Sequence, residues 1–291
     1  MERRMIAGGE GIQLAVFESG LSDGPSLLFV HGFSQSHAAW SEQLQSPALA
    51  AQFRLVACDL RGHGQSAKPV DRYADGGLWA DDIRAIIESL DLDRPVLVCW
   101  SYGGVVACDY LRRYGEDGIS GIILVGAISK VGSGLAPDLG EGIPPLVAGF
   151  FSDDPQVGLP AIETFVDLCF ERPPDAFEVE RIVSYNAAVP AHVRQSLFTR
   201  EVSNDDVLAA MTKPVLIIHG EQDRVIKTSA ATDHARVIPQ ARLVMLPGTG
   251  HSPFLEDSAR FNAELSSFCA GLNAPKKFGG AGKQPAASRP E

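Results

Sequence analysis

Cys99-Trp100-Ser101-Tyr102-Gly103-Gly104 sets one serine between the apolar run Pro95-Val96-Leu97-Val98-Cys99-Trp100 and a second apolar-periodic run from Val105 to Tyr110. The first run reads as a strand, the residues around Ser101 as a sharp turn, and the second run as a helix. A serine in such a turn is lifted clear of the strand end on strained backbone, with its hydroxyl exposed at the N-terminus of a helix whose amides favour negative charge. Ser101 is therefore a candidate nucleophile. The pattern is small-x-Ser-x-Gly, with Gly103 as the closing glycine and Cys99 at the first position. A string this short occurs by chance, so its surroundings decide.

Three other segments supply those surroundings. Leu27-Leu28-Phe29-Val30-His31-Gly32-Phe33 is a buried strand ending in a glycine turn, placed to offer a backbone N–H. Pro214 to Gly220 is a second apolar strand, followed by Glu221-Gln222-Asp223. Ala241 to Leu246 is a third, and Pro247-Gly248-Thr249-Gly250-His251 delivers a histidine from a glycine-rich loop. Ser101, Asp223 and His251 thus follow the chain order nucleophile, acid, base. Glu221 competes with Asp223 for the acid but is closer to the strand; the residues after Ala127 offer no carboxylate.

These segments resemble the α/β-hydrolase superfamily over roughly residues 12 to 270. Asp59-Leu60-Arg61-Gly62-His63-Gly64-Gln65-Ser66 resembles the D-x-R-G-x-G-x-S turn of that family, and Gly248 to Glu256 resembles its catalytic-histidine loop. Cys99 departs from it, standing where the family usually has a glycine for close strand–helix packing. The resemblance implies an α/β fold, with a mostly parallel twisted sheet, helices on both faces and an inserted helical cap, and a serine hydrolase that needs no cofactor or metal.

The pattern along the chain agrees with such a sheet. Short Val-, Ile- and Leu-rich runs near 12–18, 26–31, 54–59, 95–100, 121–127, 214–219 and 241–246 suit strands buried on both faces. Ile83, Ile86, Ile87 and Leu90 form one helical stripe, and Phe261, Leu265 and Phe268 another. The rhythm breaks from Ile128 to Thr212, a stretch too long for a loop, where Ile162, Phe165, Val166 and Cys169 have helical spacing and further helices are expected near Asp175 and Pro190. The expected organisation is a core at 1–127, a helical cap at 128–212, the rest of the core at 213–270 and a disordered tail at 271–291. Gly132-Ser133-Gly134 and Gly142-Ile143-Pro144-Pro145 are candidate hinges.

Composition narrows the function. A net charge of -11 and a pI near 5.1, with no concentrated Lys/Arg stripe, argue against a nucleic-acid partner. No apolar run approaches the roughly 20 residues of a membrane span, and the N-terminal residues lack a secretory apolar region, so a cytoplasmic enzyme is expected. The five cysteines form neither a C-x-x-C pair nor a short-chain disulfide framework, an odd number cannot all pair within one chain, and they read as reduced core residues. There is no phosphate loop of the G-x-x-x-x-G-K-[ST] kind and no metal-ligand spacing, and Asp59 reads as the holder of its own turn. Oligomeric state stays open.

The chemistry expected of these residues is acyl transfer. His251 takes the Ser101 proton, Asp223 orients His251, and the backbone N–H groups of Phe33 and Tyr102 receive the oxyanion. Trp40, Trp100, Phe150 and Phe165 are candidate substrate-binding residues. His37, His63, His192 and His234 read as surface or turn residues; His31 and His219 read as structural, His31 as an organiser of the oxyanion loop. The expected substrate is a small or medium neutral carboxylic ester. Lactones, including acyl-homoserine lactones, carbon–carbon bonds and peracid formation are alternatives with the same residues, and a ligand-binding receptor with single-turnover hydrolysis is the rival from another class.

Overall fold

A strand that is apolar at every position is stable only where both its faces are covered, and the runs so patterned fill the middle of one sheet. The computed structural model describes residues 1–273. Its strands are β1 (Glu2–Ala7), β2 (Gln13–Gly20), β3 (Ser26–Val30), β4 (Arg54–Cys58), β5 (Val96–Trp100), β6 (Gly121–Val125), the short β7 (Lys130–Val131) and β8 (Val202–Ser203), β9 (Val215–Gly220) and β10 (Arg242–Leu246). Eight of them form a sheet in the order β1-β2-β4-β3-β5-β6-β9-β10. Pairing is parallel from β4 to β10 and antiparallel at β1–β2 and β2–β4. β1 is not foreseen from the sequence, because Glu2-Arg3-Arg4 has no apolar pattern. Only Ile6 of β1 is buried, and Arg4 bridges to Glu18 on β2 at 3.0 Å.

Side chains alternate across the sheet with period two. Leu97 and Cys99 join the core under the helices Gly76–Ser89 and Gly103–Tyr114, while Val96, Val98 and Trp100 face Phe254, Phe261 and Leu265 on the other side. The last helix, Ser258–Asn273, runs through Gly271 and Leu272, and Leu272 packs on the second core. The first residues of the expected disordered tail, 271–273, are therefore helical, and the rest of that expected tail lies outside the described residues.

Register levels the strand ends. Val30 pairs with Cys58 and Cys99, Trp100 with Val125, Val125 with Ile218, and Gly220 with Leu246. The loops after β3, β5, β6, β9 and β10 consequently open along one edge of the sheet, where α/β folds collect their ligands.

Between β6 and β9 the chain forms helices Pro155–Leu168, Ala176–Ala187 and Ala191–Phe198. Asp154 and Asp175 cap the first two by accepting from Gln156 and Glu178 N–H. Ile162, Phe165 and Val166 are buried, each contributing about 1.5–3 kcal/mol. Both candidate hinges are tethered. The first follows the β7–β8 pairing of Lys130 with Ser203 and Val131 with Val202, and Ser133 N–H donates to Glu201; near the second, Gly140 N–H donates to Val225 O at 2.8 Å.

Candidate active site

The turn after β5 is strained. Ser101 takes φ 53°, a left-handed conformation that costs a non-glycine residue about 1–2 kcal/mol. Ser101 N–H donates to Val125 O at 2.9 Å, and its carbonyl accepts from Gly104 and Ile128 N–H, which holds the turn in place. The helix can begin this close to β3 only because Gly103 lacks a side chain: a Cβ there would lie 2.6 Å from Val30 O. Cys99 is fully buried between Val30 and Leu124, and burial pushes its thiol well above the ordinary value, so it packs rather than reacts. Ser101 is not exposed as the sequence suggests. The insertion covers it, leaving it 7% accessible.

Asp223 and His251 meet. His251 Nδ1 lies 2.7 Å from Asp223 Oδ2, and both side chains are almost wholly buried. Glu221, the competing acid, is exposed. Burial alone would raise the Asp223 carboxyl, but His251 and His219 outweigh it and hold the group well below the usual carboxylate range. The histidine loop can approach because Gly220 is bare: a Cβ there would lie 2.0 Å from Gly250 O. Trp100 Nε1, on the residue before Ser101, donates to His251 O at 2.9 Å and holds the loop against the serine turn.

The loop after β3 is organised by His31. Its Nε2 accepts from Leu60 N–H at 3.0 Å, so the proton sits on Nδ1 and is directed to Gly32 O at 2.9 Å. Among the described residues, the backbone N–H groups of Phe33 and Tyr102 have no hydrogen-bond acceptor. Asn186 on helix Ala176–Ala187 accepts Ser34 Oγ–H at its carbonyl and pairs with Gln35, tying the insertion to this loop. His63, read as a surface or turn residue, lies in the turn, its N–H donating to Leu60 O, but is fully buried there with its ring centroid 5.0 Å from that of His31. His234 is also buried, against Ser129 Oγ. Asp59 holds its turn as expected, accepting from the N–H groups of His37 and Gln65.

Burial lowers His31 to about 4 and His63 to about 3. Both rings therefore bind protons more weakly in the folded than in the unfolded chain, where the value is near 6.5. The stability they contribute is complete above pH 6.5 and is lost as pH falls towards their folded values. Urea titrations between pH 7 and 4.5 should show unfolding free energy dropping by up to about 1.4 kcal/mol per pH unit for each histidine. A profile flat across that range would mean these rings are not held neutral.

Above Ser101 lies a cavity of about 40 Å³ with apolar walls that include Phe33, Ile128, Phe150, Phe165 and Phe198. Phe33 packs on Phe150, Phe165 and Phe198 at centroid distances of 5.5, 6.0 and 5.8 Å. Trp40 and Trp100, the other substrate-binding candidates, are not in this wall. Both belong to the core on the opposite face of the sheet, where Trp40 packs on Phe254 at 4.4 Å and is fully buried. The Tyr102 side chain also has a role that sequence reasoning missed. Its hydroxyl accepts from Arg200 Nη1 at 3.1 Å, while Arg200 Nη2 donates to both carboxylate oxygens of the buried Asp109 at 2.9 Å. Neither Arg200 nor Asn186 lies in a motif, so only their burial in the folded chain reveals them.

A mostly parallel sheet of this order, a left-handed serine after its fifth strand and a buried Asp–His pair on the loops after its last two strands define an α/β hydrolase. The chain belongs to the Alpha/beta hydrolase family, whose profile matches residues 27–264. It is 34% identical to an esterase from Rhodococcus sp. ECU1013 whose crystal structure superposes with a TM-score of 0.89, covering 94% of this chain and 100% of that one. It is 27% identical over 265 residues to the pimeloyl-[acyl-carrier protein] methyl ester esterase of Vibrio atlanticus (strain LGP32), covering 84% of this chain and 94% of that protein. It is also 27% identical over 288 residues to the bifunctional esterase/perhydrolase DCH of Acinetobacter calcoaceticus, covering 89% and 96%. The protein is a hydrolase.

Proposed function

We propose that this hydrolase is a cofactor-independent serine esterase that cleaves small neutral carboxylic esters through an acyl-enzyme on Ser101. The observation that carries the reading is the 2.7 Å His251–Asp223 contact held against the strained turn of Ser101. In this mechanism His251 takes the serine proton as Oγ attacks the ester carbonyl, and the N–H groups of Phe33 and Tyr102 receive the oxyanion. His251 then protonates the departing alcohol and activates the water that frees the acid.

The cavity favours a short acyl group. A water needs roughly 10–15 Å³ of such space, so about 40 Å³ accommodates about three heavy atoms before the walls must move. Each methylene that fits contributes about 0.8 kcal/mol, roughly fourfold in affinity. A series of p-nitrophenyl esters from acetate to laurate should therefore rise in kcat/KM to a maximum near propionate or butyrate and fall beyond it. The same panel carries an acyl-homoserine lactone, a dienoate diketone and hydrogen peroxide as competing acyl acceptor. A lactone ahead of the best ester by tenfold, cleavage of the diketone alone, or a single stoichiometric burst without turnover would each replace the esterase reading with another.

A further inference from the structure

Four donor groups face Asp223, and only one of them belongs to His251. Oδ1 accepts from Val225 and Ile226 N–H, each at 2.8 Å. Oδ2 accepts from His251 Nδ1 at 2.7 Å and lies 3.1 Å from Nε2 of His219, the last residue before the Gly220 turn. His219 Nε2 is also 3.0 Å from Ile226 O. Two acceptors face this nitrogen, so it carries the hydrogen. The side chains of His219 and Asp223 are fully buried, and among the described residues His219 Nδ1 has no hydrogen-bond partner.

We propose that His219 is a positioning residue for the hydrolysis assigned to Ser101, Asp223 and His251, its Nε2–H fixing Asp223 Oδ2 in front of His251 and sharing the charge on that oxygen. The inference rests on that assignment and names a fourth residue for it. Two backbone amides hold Oδ1, and without His219 the only donor to Oδ2 would be the ring that the oxygen is meant to orient. An oxygen relieved of one donor is more basic, and it stabilises the imidazolium form of His251 more strongly. His251 would then hold its proton to higher pH and be less available as a base.

The ionisable groups around His219 do not reverse this sign. His219 faces Asp223 on the same turn and His234 on helix Thr228–Val237, and Asp223 in turn faces His251 on the loop after β10 and Cys169 on the insertion. Burial lowers His234 to about 4, with His219 adding to the effect, and burial pushes the Cys169 thiol well above its ordinary value, so neither ring nor thiol is charged near neutral pH. Burial would also lower His219, but Asp223 outweighs it and raises the group. Whether His219 is neutral or cationic, removing it makes Asp223 more strongly attractive to a proton on His251.

Glutamine and asparagine separate this role from packing, since the glutamine amide reaches the position of Nε2 and the asparagine amide that of Nδ1. His219→Gln should keep kcat within about threefold of the parent. His219→Asn should lose about tenfold to a hundredfold in kcat with KM little changed, and the acid limb of its kcat/KM profile should move up by about one pH unit. Parental kcat and an unmoved acid limb in His219→Asn would overturn the proposal, as would equal losses in both variants. If His219→Asn does not fold, ¹⁵N NMR of the unmodified protein decides: an Nε2–H signal for His219 is expected, and a neutral Nδ1–H tautomer would refute it. Fluorophosphonate labelling of Ser101 in the parent protein keeps the two levels apart, because absent labelling removes the assignment itself, whereas labelling with an indifferent His219 removes only this inference.

Discussion

Ser101→Ala is expected to fold as the parent does and to lose about 10⁴ to 10⁶ in kcat towards the best ester. The side chain removed is one hydroxyl, and alanine can adopt the same φ of 53° at comparable cost, so melting temperature should hardly move. The entire loss would then be chemical, because among the described residues lining the space beneath the insertion Ser101 carries the one aliphatic hydroxyl, and the hydroxyl of Tyr102 is engaged by Arg200. A fluorophosphonate should label the parent at Ser101 and leave the variant unlabelled. Labelling elsewhere in folded protein, or turnover surviving in the variant within tenfold, would remove Ser101 from the mechanism.

Asp223→Asn should cost about 10⁴ in kcat. Four donor groups face this carboxylate, two of them backbone amides and two imidazoles. An amide has one acceptor oxygen, so its NH₂ must face one of those pairs, and the loss of matched partners should also lower stability by about 1–3 kcal/mol. Turned towards His251, the NH₂ would force the ring into the tautomer that cannot accept from Ser101. Glu221→Gln, on an exposed side chain two residues away, should leave kcat within about twofold. The two variants measured side by side assign the acid, and the opposite ranking would transfer it to Glu221.

What the sequence makes legible here is what depends on backbone approach and strand order. Gly103 marks a helix packed onto a carbonyl, Gly220 marks a loop crossing a strand end, and both can be read because no other residue fits. The acid and the histidine follow from the same logic, each emerging from a turn after an apolar strand. The pocket is less legible. Trp100 is next to Ser101 in sequence, yet strand alternation sends it to the opposite core, and Trp40 goes with it. Phe150 and Phe165 border the cavity and also stack on each other, at 5.5 Å, so periodicity cannot separate lining from packing. β1 escapes notice because an edge strand needs no second apolar face. His219 escapes because a strand-end histidine followed by glycine looks the same whether or not an acid folds back onto it.

The pairing of Lys130–Val131 with Val202–Ser203 has a thermodynamic corollary. It brings the start and end of the insertion together beside the sheet, so the core meets the chain between them as a closed loop with a fixed mouth. Closure entropy grows only with the logarithm of loop length, and doubling the loop costs about 0.6 kcal/mol. The chain within this loop can therefore be lengthened or shortened at little closure cost while the strand ends that hold Ser101, Asp223 and His251 keep their register, whereas exchanging the buried Phe150 or Phe165 would still forfeit their packing. The length of the insertion is in this way energetically uncoupled from the strand register that sets the Asp223–His251 contact.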